Sequence, residues 1–109
     1  MKVLVIEDNT ELLQDIKSFL EEEGYICEIA PTYKAANEKI GYFPYDILVV
    51  DITLPDGNGL DIISQVKNEN IDAGIIIISA KNSIGDKIHG LEIGADDYVV
   101  KPFSPRQLV

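Results

Sequence analysis

The sequence predicts an α/β domain built as a doubly wound, five-stranded parallel sheet, and three observations carry that prediction. Runs of Val, Ile and Leu at residues 3–6, 47–50 and 75–78 lack polar alternation, as strands covered on both faces do. Apolar residues at helical spacing lie between these runs, and glycines close several of the helical stretches. With 109 residues, 46% of them hydrophobic, the chain suffices for one domain, residues 1–109, with a core of two or three layers.

Residues 3–6 form the first strand. Leu12, Leu13, Ile16, Phe19 and Leu20 then give the first helix one apolar stripe, and Gly24 has the φ freedom of a C-terminal cap. Residues 25–30 form a more polar strand, suited to a sheet edge. It contains Cys27, the single cysteine, which has no disulfide partner in the chain and reads as a core residue in a reducing cytoplasm. Ala35, Ala36 and Ile40 mark a second helix, ended by Gly41 and the loop around Pro44, and residues 47–50 follow as a strand. Leu60, Ile63 and Val66 mark the third helix, with a loop over 68–74 before the strand at 75–78.

A fourth helix is expected over residues 83–92 through Ile84, Ile88 and Leu91, ending near Gly94, with the fifth strand at 98–100. Ser104-Pro105-Arg106-Gln107 has the form of a helix start: a capping serine, a proline in the first helical position and a glutamine placed for a capping box. The fifth helix begins there and is truncated at Val109, so the natural protein is expected to continue.

Composition excludes several roles. Lys and Arg number 9 against 19 Asp and Glu, and a net charge of −10 repels nucleic acid and anionic lipid, so this segment is not expected to bind DNA or a membrane directly. The amino-terminal apolar run turns acidic at Glu7 and Asp8, too early for a signal peptide or a membrane span, and a cytoplasmic location is expected. No repeat, low-complexity tract or linker interrupts the chain.

Doubly wound folds place their sites at the carboxyl ends of the strands. There the sequence sets Glu7 and Asp8 after the first strand, Asp51 after the third, Ser79 after the fourth and Lys101 after the fifth. Clustered carboxylates repel one another, and Mg²⁺, a hard cation with oxygen ligands, is the natural occupant of such a site. A carboxylate, a divalent ion, an ammonium and a hydroxyl suffice for phosphoryl transfer, which depends on positioning and charge neutralisation. Asp51 would be the nucleophile, Lys101 would hold the transferred oxygens, and Ser79 would donate a hydrogen bond. Singly, each residue has an ordinary reading. The acids cap turns or helices, Lys101 is a solvated charge and Pro102 ends a strand. Their joint placement on one sheet favours a common site.

Val5-Ile6-Glu7-Asp8-Asn9, the run from Asp51 through Pro55-Asp56-Gly57-Asn58-Gly59 to Leu60, Ser79-Ala80 and Lys101-Pro102-Phe103 together resemble the receiver domain of two-component response regulators. Gly90-Leu91-Glu92-Ile93-Gly94-Ala95-Asp96-Asp97-Tyr98 is similar to the OmpR/PhoB-like subgroup, which carries a winged-helix DNA-binding domain. The resemblance implies a flavodoxin-like strand order 2-1-3-4-5, Asp51 as phosphoacceptor and a sensor histidine kinase as donor. Mg²⁺ would be bound by Asp8, Asp51 and the Thr53 backbone carbonyl, with Glu7 acting through metal-bound water. It further implies a switch in which Ser79 moves toward the phosphoryl group and the Tyr98 ring turns inward; simple packing of Tyr98 on the fourth helix is the alternative. A cis Lys101-Pro102 bond is implied as well. So is a homodimer through the fourth helix, fifth strand and fifth helix, to which Lys87, Asp96, Asp97 and Arg106 would contribute.

Two departures stand out: Ser79 replaces the more frequent threonine and Gln107 stands where an acid is common; His89, the single histidine, has no role in the chemistry and is expected to be exposed on the fourth helix. Thr53 and Lys81 flank the site and would tune the lifetime of the phosphorylated state. A haloacid-dehalogenase-type phosphotransferase would need a second aspartate where Thr53 stands, and a flavodoxin would need a hydroxyl-rich phosphate loop where Glu7-Asp8-Asn9 stands. A receiver-like domain that has lost phosphorylation is disfavoured by the complete set of side chains. With no sign of a general base for turnover, the expectation is a signalling switch rather than an enzyme.

Overall fold

The structure is a computed structural model that describes residues 1–80 and 84–101, with the backbone alone at 84–87. Lys81, Pro102 with its expected cis bond, Arg106, Gln107 and the fifth helix lie outside the described residues, as does the Lys87 side chain.

The elements run β1 (Lys2–Ile6), α1 (Thr10–Glu22), β2 (Ile26–Ala30), α2 (Tyr33–Tyr42), β3 (Ile47–Asp51), β4 (Thr53–Leu54), β5 (Gly57–Asn58), α3 (Gly59–Asn68), β6 (Gly74–Ser79), α4 (Ile84–Glu92) and β7 (Asp97–Val100). Five strands form one sheet in the order β2-β1-β3-β6-β7, parallel throughout, while β4 and β5 pair as a small antiparallel hairpin. Counted within the large sheet, the order is the expected 2-1-3-4-5, and the more polar β2 lies at an edge.

Because side chains alternate along a strand, each apolar run feeds two cores. Leu4, Ile6, Leu48, Val50, Ile75 and Ile77 pack with Ala36, Ile62, Ile63 and Val66 of α2 and α3 on one face. Val3, Val5, Cys27, Val49 and Ile78 pack with Leu13, Ile16 and Leu20 of α1 on the other. This double coverage accounts for the absence of polar alternation in the sequence. Asn9, Thr32 and Asn58 cap α1, α2 and α3 by accepting the backbone N–H groups of Leu12, Ala35 and Leu60. Gly24 takes a φ of +92° beyond α1, as expected of a cap.

One helix reading needs correction. Gly41 does not end α2. The helix continues to Tyr42 and stops at Phe43, whose extended φ of −127° and ψ of 142° are what the following Pro44 imposes on its predecessor. The fourth helix runs Ile84–Glu92, close to the expected span, although Ile88 and Leu91 are 50% and 46% exposed. The helix approaches the sheet at buried Gly90, where an added Cβ would lie 2.7 Å from Ile77 Cδ1 and 3.3 Å from Tyr98 Cδ2. A hydrophobic pattern gives no weight to a contact made by a residue without a side chain.

Candidate functional site

The strands deliver the polar residues to one end of the sheet. Asp51 is the last residue of β3 and Ser79 the last of β6, while Glu7 and Lys101 follow β1 and β7 directly. Backbone bonds extend the ladders to hold them, from Glu7 N–H to the Ala30 carbonyl at 3.1 Å and from Lys101 N–H to the Ser79 carbonyl at 2.7 Å. Glu7, Asp51 and Ser79 are the buried polar residues among those described, at 0%, 3% and 1% exposure. Asp8, beside them, is exposed.

Lys101 joins the two buried acids. Its Nζ lies 2.5 Å from Glu7 Oε1 and 3.1 Å from Asp51 Oδ2. The other oxygen of Asp51, Oδ1, accepts the Thr53 N–H at 3.1 Å. Burial, reinforced by the adjacent Asp51 carboxylate, pushes Glu7 up to about 8, with Lys101 working against the shift. Burial also disfavours the Lys101 ammonium, but its hydrogen bonds to Glu7 and Asp51 outweigh that, and its pKa stands above the ordinary lysine value.

Glu7, Asp8 and Asp51 each present a carboxylate oxygen within 4.8 Å of the others. Among the described residues, Glu7 Oε2 is fully buried and has no hydrogen-bond partner. An all-oxygen cluster of three acids facing one ammonium, with one acid oxygen left unsatisfied, fits a hard divalent cation.

With divalent ions chelated, the domain is expected to lose stability as pH rises. The folded Glu7 value lies above the usual 4.5, so folded chains hold a proton that unfolded chains have released; the penalty is absent below about 4.5 and complete above about 8. Denaturant unfolding across that range reads the effect, and Glu7→Gln should flatten it.

The remaining residues singled out from sequence divide into those inside the sheet and those on its surface. Tyr98 is buried, with its ring beside Gly90 of α4. His89 is exposed, as expected. Asp96 and Asp97 are exposed but engaged: Asp96 Oδ2 accepts the Ile75 N–H and Asp97 Oδ1 accepts the Tyr98 N–H, each at 2.7 Å. Sequence reasoning missed the contact between Asp56 and the start of α2, because a bond spanning 23 residues leaves no local pattern. Among the described residues, no helix is long and apolar enough to cross a membrane.

Residues 3–109 match the family model of the response regulator receiver domain. The transcriptional regulatory protein BasR of Escherichia coli (strain K12) is 37% identical over 108 residues, covering 99% of this chain and 49% of BasR. The chain thus spans about half the length of the curated relatives it first matches. The Francisella response regulator 1452 receiver domain superposes with a TM-score of 0.94 at 38% identity, covering 98% of this chain and 88% of that one. A Burkholderia pseudomallei response regulator with a phosphorylated aspartic acid, a calcium ion and citrate superposes with a TM-score of 0.90 at 27% identity, over 98% and 63% of the two chains.

Proposed function

The chain belongs to the response regulator receiver domain family of two-component signalling, and on that premise we propose that Asp51 accepts a phosphoryl group from a sensor histidine kinase in a Mg²⁺-dependent reaction. The observation that carries this reading is Asp51 itself: an acid at a strand end, 3% exposed, held by Lys101 on one oxygen and by the Thr53 N–H on the other. The Burkholderia neighbour, with its phosphorylated aspartate and calcium, supports both the modification and the cation.

In this reaction a carboxylate oxygen of Asp51 attacks phosphorus, the P–O bond forms, and the P–N bond to the partner's histidine breaks with its electron pair leaving on nitrogen. Lys101 releases part of its hold on Glu7 and Asp51 to follow the charge that develops on the phosphoryl oxygens. The Ser79 hydroxyl, at the end of the adjacent strand, donates to another of those oxygens. Asp8, Asp51 and the Thr53 carbonyl would hold Mg²⁺, with Glu7 acting through water. The ion supplies neutralisation of the clustered negative charge.

Phosphorylation would then bias Ser79 and Tyr98, and through them the α4–β7 surface. Lys87, Asp96, Asp97 and Arg106 would contribute there to pairing with a second copy. The output would be transcription regulation through a DNA-binding domain beyond this segment, and the similarity to BasR, a transcriptional regulatory protein, supports the regulatory role. The domain catalyses only its own phosphorylation and slow dephosphorylation.

The test is incubation with acetyl phosphate and Mg²⁺ followed by intact mass, where one added phosphoryl group is expected. Mg²⁺ alone should raise the melting temperature: at a hundredfold excess over Kd the gain is about 2.7 kcal/mol, on the order of 10 °C for a domain of this size. A melting curve indifferent to the ion would sink the metal assignment.

A further inference from the structure

Asp56 sits at the tip of the hairpin that links Asp51 to α3; Leu54 roots the base of the hairpin in the core and the Gly59 N–H bonds the Ile52 carbonyl behind it, but the tip has little of its own to fix it. The hairpin strands pair only through Thr53 with Asn58 and Leu54 with Gly57, and Pro55 and Asp56 are exposed. The tip is fastened instead to α2. Asp56 Oδ1 accepts the Tyr33 N–H at 2.7 Å and Oδ2 accepts the Lys34 N–H at 3.1 Å. These are the first two amides of α2, which have no partner within the helix, and Thr32 Oγ1 takes the third from Ala35 at 3.1 Å. The carboxylate completes the cap with a negative charge at the end of the helix where the dipole favours one. The same two amides hold the Asp56 pKa below the usual carboxylate value.

A second contact reinforces the first. A Cβ on Gly57 would lie 2.8 Å from Cδ2 of the Tyr33 ring, so the ring rests directly on the hairpin backbone. Tyr33 thus grips the hairpin with its N–H at Asp56 and with its ring at Gly57.

Building on the reading of Asp51 as a Mg²⁺-dependent phosphoacceptor, we propose that Asp56 is a positioning residue that fixes Thr53 against Asp51 by fastening the hairpin tip to α2. The connection is short: Gly57 and Asn58, next to Asp56, pair with Leu54 and Thr53, and the Thr53 N–H reaches Asp51 Oδ1 at 3.1 Å. Without the clamp, a ladder of two residue pairs that includes Gly57 and is followed by Gly59 leaves the Thr53 backbone freer. An ion using its carbonyl must then order it on binding, which lowers affinity.

The experiment compares Asp56→Ala with Asp46→Ala, a control that removes another backbone-amide bond to a carboxylate, in which Asp46 Oδ2 accepts the Lys2 N–H at 2.7 Å at the amino end of β1. Mg²⁺ is titrated calorimetrically into each unphosphorylated protein, and hydrogen exchange is followed at the Thr53 amide. Asp56→Ala is expected to weaken Mg²⁺ binding about tenfold, as loss of an orienting contact behind a metal ligand does, and to speed Thr53 exchange. Asp46→Ala should bind as the wild type does, and Asp56→Asn, which keeps one acceptor oxygen, should fall between. Wild-type affinity in Asp56→Ala overturns the positioning role alone. Equal weakening in both alanine variants also overturns it, because general loosening would then explain the loss. A wild-type protein that takes no Mg²⁺ overturns the reading of the site itself.

Discussion

Asp51→Asn is expected to abolish phosphoryl incorporation from acetyl phosphate while leaving the domain folded. The substitution is nearly isosteric, and the amide oxygen can keep the Thr53 N–H bond now made by Oδ1 at 3.1 Å. What disappears is the anionic oxygen that Lys101 Nζ approaches at 3.1 Å and that would attack phosphorus. Stability should hold or rise. The wild-type site crowds Glu7, Asp8 and Asp51 within 4.8 Å, and removing one charge relieves repulsion that only Lys101 offsets among the described residues. The variant should also respond less to Mg²⁺, because one of the three acids no longer ligates as an anion. Intact mass and melting curves with and without the ion separate these effects. Labelling of Asp51→Asn at the wild-type level would place the phosphoryl group elsewhere and end the proposal.

The parts of this protein that were legible in the sequence are those written in local patterns. The runs of Val and Ile exposed the central strands because a parallel strand covered twice needs apolar residues at every position, and the two separate cores bear this out. The candidate site was legible for a related reason. In a doubly wound sheet the residue that ends a strand is also a residue at the site, so Glu7, Asp51, Ser79 and Lys101 could be assembled without coordinates.

What escaped depends on contacts across space. Ile88 and Leu91 have the spacing of a buried stripe, yet the approach of α4 to the sheet is set by Gly90, and no periodicity reports which face a glycine will let closest. The end of α2 was misplaced because Gly41 is a familiar stop, whereas the conformation of Phe43 is dictated by Pro44. Asp56 reads as one more turn residue until the α2 amides 22 and 23 positions away are seen to lie on it.

The acid-rich surface and the acid-rich site also have different physics. Surface acids such as those of α1 lie in water, where screening leaves each with little effect on folding. Glu7 is fully buried, so its charge is governed by desolvation, by Asp51 and by Lys101. Its state therefore depends on pH and on cations in a way that the overall net charge of −10 does not reveal. Lys101 is the counterpart that makes the burial tolerable, and it reaches Glu7 and Asp51 only because β7 ends level with β6.

Gly59→Ala is the substitution expected to damage the fold and the site together. Gly59 opens α3 directly after the hairpin, and its N–H bonds the Ile52 carbonyl at 2.8 Å. A Cβ built there would stand 2.1 Å from the carbonyl oxygen of Asp51 and 2.9 Å from Val50 Cγ1. The first obstacle is backbone, so no rotamer change relieves it. Either the first turn of α3 must lift from the sheet or the end of β3 must shift, and each option moves Asp51 relative to Lys101. Overpacking of this kind costs about 3 kcal/mol, a drop in melting temperature on the order of 10 to 20 °C for a domain of this size. Phosphoryl incorporation by the surviving folded fraction should slow as well, because positioning dominates this chemistry. Gly41→Ala is the matched control. Gly41 lies within α2 with open space around its Cα, so the added methyl group should stabilise the domain by about 0.4 to 1 kcal/mol. Denaturant unfolding of the two variants side by side tests whether close approach to Asp51, rather than glycine as such, is what position 59 requires. Wild-type stability and labelling in Gly59→Ala would show that the backbone there yields freely.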